Sequence, residues 1–282
     1  MLIHRGGRAA AGLALCLGAL AACGGSDDGA KPGAQSAAPP TAGSTTRASV
    51  DDTAAPPSPQ PKGGGLRGKT ILVDPGHNGG NASHPSEIAK QVDVGNGHKE
   101  CDTTGTETKA GYTEAAFTWD VSLRLRKLLT AQGAKVVMTR DSNSGVGPCI
   151  TERAAIGNKA RADAAISVHA DGAPASGHGF HIIEPALVAG HNAKIVVPSQ
   201  KLGLAVRDAY HAGTGVPYST YIGTKALDRR DDLGGLNLST VPKIFIECGN
   251  MGNAGDAAKL SDAAFRQRIA DSLAKGIGDY LG

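Results

Sequence analysis

Aromatic side chains are scarce: one tryptophan, five tyrosines and four phenylalanines make up 4% of the 282 residues. With few rings on which bases could stack and a formal net charge of only +3, the chain has neither the field nor the platforms that nucleic-acid binding needs. Nucleic acid is therefore not expected as a partner. Cysteine is also sparse, with 5 residues and no CxxC spacing, so a cysteine-held metal is not expected either. The N-terminal apolar run, from about Ala9 to Ala22, is shorter than the roughly 20 residues of a stop-transfer helix.

That run follows Arg5 and Arg8 and leads into Leu20-Ala21-Ala22-Cys23-Gly24, the plan of a signal peptide over residues 1–23. The junction resembles the lipobox of bacterial lipoproteins, in which the cysteine is lipidated and becomes the mature N-terminus; an ordinary small-residue cleavage site is the alternative. Either way export is expected, with lipidated Cys23 holding the protein at the outer face of the cytoplasmic membrane and simple secretion otherwise. Residues 24–67 are mostly Gly, Ala, Ser, Thr, Pro and Asp with almost nothing large and apolar, as in Pro56-Pro57-Ser58-Pro59. Such a stretch cannot bury enough surface to fold and is expected to be a disordered linker, with a reach of about 35 Å. One folded domain is expected over residues 68–282, as a monomer. Its cysteines are Cys101, Cys149 and Cys248. In an oxidising compartment the first two, both in polar Gly-rich sequence, read as a disulfide, and Cys248, after apolar strand residues, as a buried thiol.

Within the domain, apolar runs alternate with helical periodicity. Strands are expected at Lys69–Val73, Lys135–Thr139, Ala164–Val168, Gly179–Ile183 and Lys243–Ile246. Helices are expected at Thr113–Gln132, with Phe117, Val121, Leu125 and Leu128 on one face, and at Ile150–Ala162, Ser199–Ala212 and Asp262–Leu281. This alternation predicts an α/β fold: a single domain whose mostly parallel twisted sheet is flanked by helices on both faces. Sites in such folds lie at the carboxyl ends of the strands.

Three of these strands run into a residue able to bind or serve a metal: His77, His169 and Glu247. Glu114 opens the helix after the polar insert. Singly, each has a plain reading, a satisfied loop histidine or a first-turn carboxylate facing the helix dipole. Jointly they lie where a parallel sheet brings its strand ends together. Two histidines and a carboxylate with one open position are a ligand set of catalytic zinc.

Asp74-Pro75-Gly76-His77, Thr113-Glu114-Ala115-Ala116, Thr139-Arg140-Asp141, Glu152-Arg153-Ala154-Ala155, Ser167-Val168-His169-Ala170-Asp171 and Val241-Pro242-Lys243-Ile244-Phe245-Ile246-Glu247-Cys248-Gly249-Asn250 occur in this order. Together they resemble the zinc-dependent N-acetylmuramoyl-L-alanine amidases, and the long insert and the Cys248-Gly249-Asn250 ending look like the actinobacterial branch. The resemblance implies that His77, Glu114 and His169 bind zinc, that Glu247 is the catalytic carboxylate, and that the substrate is the amide between N-acetylmuramic acid and L-alanine in peptidoglycan. Affinity for the polymer is then expected from the catalytic groove, with the 79–109 insert contributing. Arg153 and Arg140 read as structural partners of nearby carboxylates, and Asp74 either orients a histidine or closes the turn before Pro75. Two other functions remain open at this level: a zinc peptidase cutting within the stem peptide, and a non-catalytic wall-binding lipoprotein.

Overall fold

The structure is a computed structural model, and it describes residues 65–282. The expected signal peptide, Cys23 and all but the end of the expected linker lie outside the described residues. The folded part takes in Leu66, two residues ahead of the expected start at Gly68: its side chain is buried and its N–H bonds Gln132 O.

Six strands form one sheet. In β1 (Thr70–Pro75), Ile71-Leu72-Val73 is an apolar run buried on both sides, as the middle of a parallel sheet requires. It is flanked by β4 (Lys135–Met138) and β5 (Ala164–Asp171), and β8 (Lys243–Asn250) follows β5. These four run parallel; β6 (His181–Pro185) lies antiparallel to β8, and β7 (Leu227–Arg230) closes the edge parallel to β6. The order β4-β1-β5-β8-β6-β7 places β1, β5 and β8 side by side in the interior. The sequence-derived expectation of a mostly parallel sheet with helices on both faces holds.

The two faces differ in kind. Ile71, Val73, Ile166, Val168, Ile182, Ile244 and Ile246 point to one side, where α2 (Glu114–Ala131) and α4 (Val196–Thr214) cover them and α7 (Ala263–Leu281) packs against both helices. This is the main core, and a fully buried Leu or Ile there contributes about 1.5–3 kcal/mol. On α2 the buried stripe is Phe117, Val121, Leu125 and Leu129, with Leu128 partly buried beside it. The opposite face carries a small apolar cluster of Leu72, Ala165 and Val241 beside α3 (Ile150–Ala160), then turns polar toward the strand ends through Asp74, Ser167 and Lys243. The short helix α5 (Gly234–Asn237) packs there too, against α3.

The insert between β1 and α2 is structured: a 3-10 turn (Asn81–Ser83), the single turn α1 (Pro85–Ile88), and a hairpin of β2 (Gln91–Asp93) and β3 (His98–Glu100). Cys101 and Cys149 form the expected disulfide, tying the insert to the start of α3, and Cys248 is a buried free thiol. The hairpin also reaches the segment after β7. Asn237 Nδ2 donates to Val94 O at 3.0 Å, and Lys99 pairs with Asp232 at 3.0 Å. The helix α6 (Ala254–Ser261) completes the elements, capped by the Asn253 side chain.

Candidate metal centre and catalytic carboxylate

His77 stands two residues beyond β1 in the left-handed region, at φ 57°, a conformation non-glycine residues seldom take without external constraint. The constraint is visible. Arg153 donates to Pro75 O at 2.7 Å and His77 O at 3.0 Å, while Arg140 donates to Pro75 O at 3.1 Å and Gly76 O at 3.4 Å. Two guanidinium groups thus hold three successive carbonyls of the loop that presents the histidine. Arg153 also pairs with Asp74 and Asp102, the structural role expected of it. Arg140 differs from its expectation: its partners are carbonyls, Thr118 Oγ1 and Asn143 Oδ1, and it lies 4.8 Å from the centre of the Trp119 ring.

His169 lies inside β5, which runs on to Asp171, and its imidazole is held from both sides. The Phe245 ring stacks on it at 5.3 Å, and Gly76 covers the other side so closely that a Cβ there would run into the ring. Glu114 reaches both histidines from the first turn of α2, where Thr113 caps the helix by accepting from Ala116 N at 3.3 Å. Its Oε1 lies 2.9 Å from His169 Nδ1 and accepts from Ala170 N at 3.2 Å. Its Oε2 lies 3.2 Å from His77 Nε2 and accepts from Thr106 N at 3.0 Å. One ligand atom from each of His77, Glu114 and His169 falls within 4.8 Å of the others, a donor set able to hold a cation. Gly105 closes over this group with φ 75°, where a Cβ would sit 2.8 Å from Glu114 Oε2.

Burial disfavours a charge on His77, but Glu114 and Asp102 outweigh it and raise the imidazole to about 10. Glu114 is held well below the usual carboxylate range: burial opposes this, and the two histidines prevail. Each anion and imidazole is thus stabilised by the other.

Glu247 is on β8, in register with His169 on β5 and with His181 on β6, so the three Cα atoms form a row across adjacent strands. Part of the residue is open to solvent, yet Oε2 is sealed off without a hydrogen-bond partner. Burial and the nearby Glu114 and Asp171 carboxylates push its proton affinity well above that of an ordinary glutamate. His181 carried no distinguishing spacing in the sequence. The antiparallel strand β6 places it across from Glu247, buried, with Nδ1 unpartnered and the Tyr221 ring edge-on at 6.0 Å. Strand pairing is the information that the sequence pattern lacked.

Asp74 neither contacts a histidine nor serves mainly to close the turn. It accepts from Thr139 at 2.7 Å, Ser167 at 2.6 Å, Arg153 at 2.9 Å and Lys243 at 3.2 Å. A cavity of about 380 Å³ opens on this face beside His77 and His169, walled by Ile150, Leu233, Gly235 and Phe245 and flanked by the Lys99–Asp232 pair. Its size suits a small-molecule or peptide moiety.

Residues 71–279 match the N-acetylmuramoyl-L-alanine amidase family. The chain is 42% identical over 219 residues to the N-acetylmuramoyl-L-alanine amidase Rv3717 of Mycobacterium tuberculosis, a match covering 77% of this chain and 88% of that protein. The crystal structure of the amidase Ami1 from Mycobacterium smegmatis superposes with a TM-score of 0.73 at 42% identity, covering 77% of this chain and 99% of that one. The amidase AmiC2 of Nostoc punctiforme, at 21% identity and a TM-score of 0.57 over 76% of this chain and 97% of that one, shares the fold. On the match to its folded part and on the mycobacterial relatives, the chain belongs to the N-acetylmuramoyl-L-alanine amidase family.

Proposed function

We propose that this chain hydrolyses the amide between N-acetylmuramic acid and the L-alanine of the peptidoglycan stem peptide, with zinc held by His77, Glu114 and His169 and with Glu247 as the proton carrier. The observation that carries the reading is the meeting of two imidazole nitrogens and a carboxylate beside an unpartnered, shielded oxygen of Glu247. The donor set fits zinc: nitrogen and oxygen ligands, three from the protein, which leaves a position for water or substrate. When bound, zinc supplies a Lewis acid that acidifies a water molecule and polarises the scissile carbonyl.

The residues of the chain do the rest. His77 would bind through Nε2 and His169 through Nδ1, the nitrogens that face Glu114. Glu247 accepts the proton of the attacking water and delivers a proton to the departing alanine nitrogen, so the amine leaves neutral. Its backbone is fixed between two strands, which keeps the carboxylate in place through both transfers. The cavity beside His169 receives the part of the substrate flanking the scissile bond. On this reading the enzyme is a monomer of the cell envelope, exported by residues 1–23 and tethered through a lipid on Cys23.

Digestion of purified peptidoglycan, with and without a chelator, tests the proposal. The expected products are free peptides beginning with alanine and glycan strands of unchanged length, with loss of activity in chelator and recovery on adding zinc. New reducing ends, or new amino groups only further along the stem, would overturn the reaction. Wall binding without cleavage would turn the reading toward a non-catalytic binding protein.

A further inference from the structure

We propose that Asp102, supplied by the insert, is a positioning residue for the metal: it fixes the imidazole of His77, and the neighbouring Cys101–Cys149 disulfide fixes Asp102. This inference rests on the metal site proposed above. The two nitrogens of His77 face different surroundings. Nε2 is turned to Glu114 at 3.2 Å, whereas Nδ1 meets Thr103 O at 3.0 Å and Asp102 Oδ1 at 3.3 Å. The carbonyl and the carboxylate can only accept, and the Thr103 hydroxyl, 3.3 Å from the same nitrogen, can accept as well, so the ring proton is held at Nδ1 and the Nε2 lone pair is left for a cation. A carboxylate or carbonyl behind a ligating histidine sets its tautomer and orientation and raises its basicity. Asp102 stands behind the ring and outside the group of ligand atoms, and so acts through His77.

Asp102 is itself tightly held. Its Oδ2 accepts from Arg153 Nη2 at 3.1 Å, its Oδ1 from Thr103 N at 2.8 Å, and its own N–H bonds Ile88 O at 3.2 Å. Arg153 simultaneously holds His77 O, so one guanidinium spans the ligand and the group that orients it. The adjacent Cys101 is bonded to Cys149, Cys101 O accepts from Ile150 N at 2.8 Å, and Cys101 N–H bonds Lys90 O at 2.7 Å. Thr103 O, the other acceptor for His77, is also bound by Asn81 Nδ2 at 2.8 Å. A segment of the insert that supplies no ligand thereby supports the metal centre through His77, and a covalent cross-link secures it to the start of α3.

The test is the zinc dissociation constant of each purified variant, measured by competition with a chromogenic chelator, with unfolding midpoints of the metal-free proteins recorded alongside. Asp102→Ala should weaken zinc binding by about 10- to 100-fold. Asp102→Asn keeps an oxygen acceptor for His77 Nδ1 and should lose clearly less. Cys101→Ser/Cys149→Ser should weaken zinc in the same direction and add little when combined with Asp102→Ala, because both changes release the same side chain. Wild-type affinity in a folded Asp102→Ala protein, or equal losses in the Ala and Asn variants, would overturn the positioning role. Additive losses, or an undisturbed affinity in the cysteine variant, would overturn the part given to the disulfide. Failure of the wild type to bind zinc at all would instead sink the metal site, so the two failures are distinguishable.

Discussion

At the scale of single residues, the site assigns different work to side chains that look alike in sequence. Glu114 and Glu247 are both shielded carboxylates near two histidines. Glu114 is satisfied by two backbone N–H groups and both imidazoles, whereas Oε2 of Glu247 has no partner. Replacing His77, Glu114 or His169 by Ala should therefore strip zinc from the purified protein, since a three-ligand site cannot spare an arm. Full metal content in any one of these variants would remove that residue from the centre. Glu247→Gln should behave otherwise, keeping its zinc while turnover falls by roughly 10²- to 10⁴-fold; loss of metal along with activity would make Glu247 a ligand. Gly76→Ala tests packing alone. The added methyl meets the His169 ring, which cannot retreat because Phe245 backs it, so zinc should be lost although no ligand has changed. A Gly76→Ala protein with wild-type zinc affinity would show that the His169 ring can move aside at no cost.

At the scale of elements, what the sequence showed and what it hid follow from burial. Strands β1, β5 and β8 are interior and carry apolar runs, Ile71-Leu72-Val73, Ala164-Ala165-Ile166 and Ile244-Phe245-Ile246, and α2, α4 and α7 carry apolar stripes, so each is visible as a run or a period. The edge strand β7 is Leu-Asp-Arg-Arg, with charges suited to an unpaired edge and no alternation to betray it. The hairpin β2–β3 and the single turns α1 and α5 are shorter than any period that a pattern can establish. Their placement comes from long-range ties: the disulfide, the Lys99–Asp232 pair and the bonds from Asn237. His77, Glu114, His169 and Glu247 were legible as candidates because strand ends converge. Asp102 and His181 were not, because one depends on how the insert folds back and the other on the antiparallel pairing of β6. The disulfide spans 48 residues, for which the chain-entropy relation gives about 4 kcal/mol of stabilisation. Reduction should accordingly lower the denaturant midpoint of the metal-free domain, and an unchanged midpoint would mean that the insert contributes nothing to global stability.

At the scale of the whole molecule, the sheet trades apolar packing on one face for a buried ionic scaffold beneath the site. Asp74 sits at its centre between Lys243 and Arg153, with hydroxyls from Ser167 and Thr139 completing its shell. Burial by itself would favour the neutral acid, but the two cations and two hydroxyls prevail and hold its carboxyl well below the usual range. Lys243 shows the complementary cost: burial lowers its proton affinity, and Asp74 restores only part of it. Because the folded-state value of Asp74 lies below the unfolded value of about 3.9, its ionised form favours the folded state at every pH above that range. This contribution is lost as pH falls below about 4 and through the depressed folded-state value. Asp74→Asn should cost about 3–5 kcal/mol near neutrality, since it leaves two buried cations without their counter-charge. The variant should also lose less than the wild type on acidification, because the group whose protonation drives that part of the acid limb is gone. Other carboxylates titrate alike in both proteins, so the difference between their unfolding midpoints from pH 7 to pH 2 isolates Asp74. The gap should narrow below pH 4; parallel curves throughout would show that Asp74 is not the residue through which acid loosens the scaffold that carries His77.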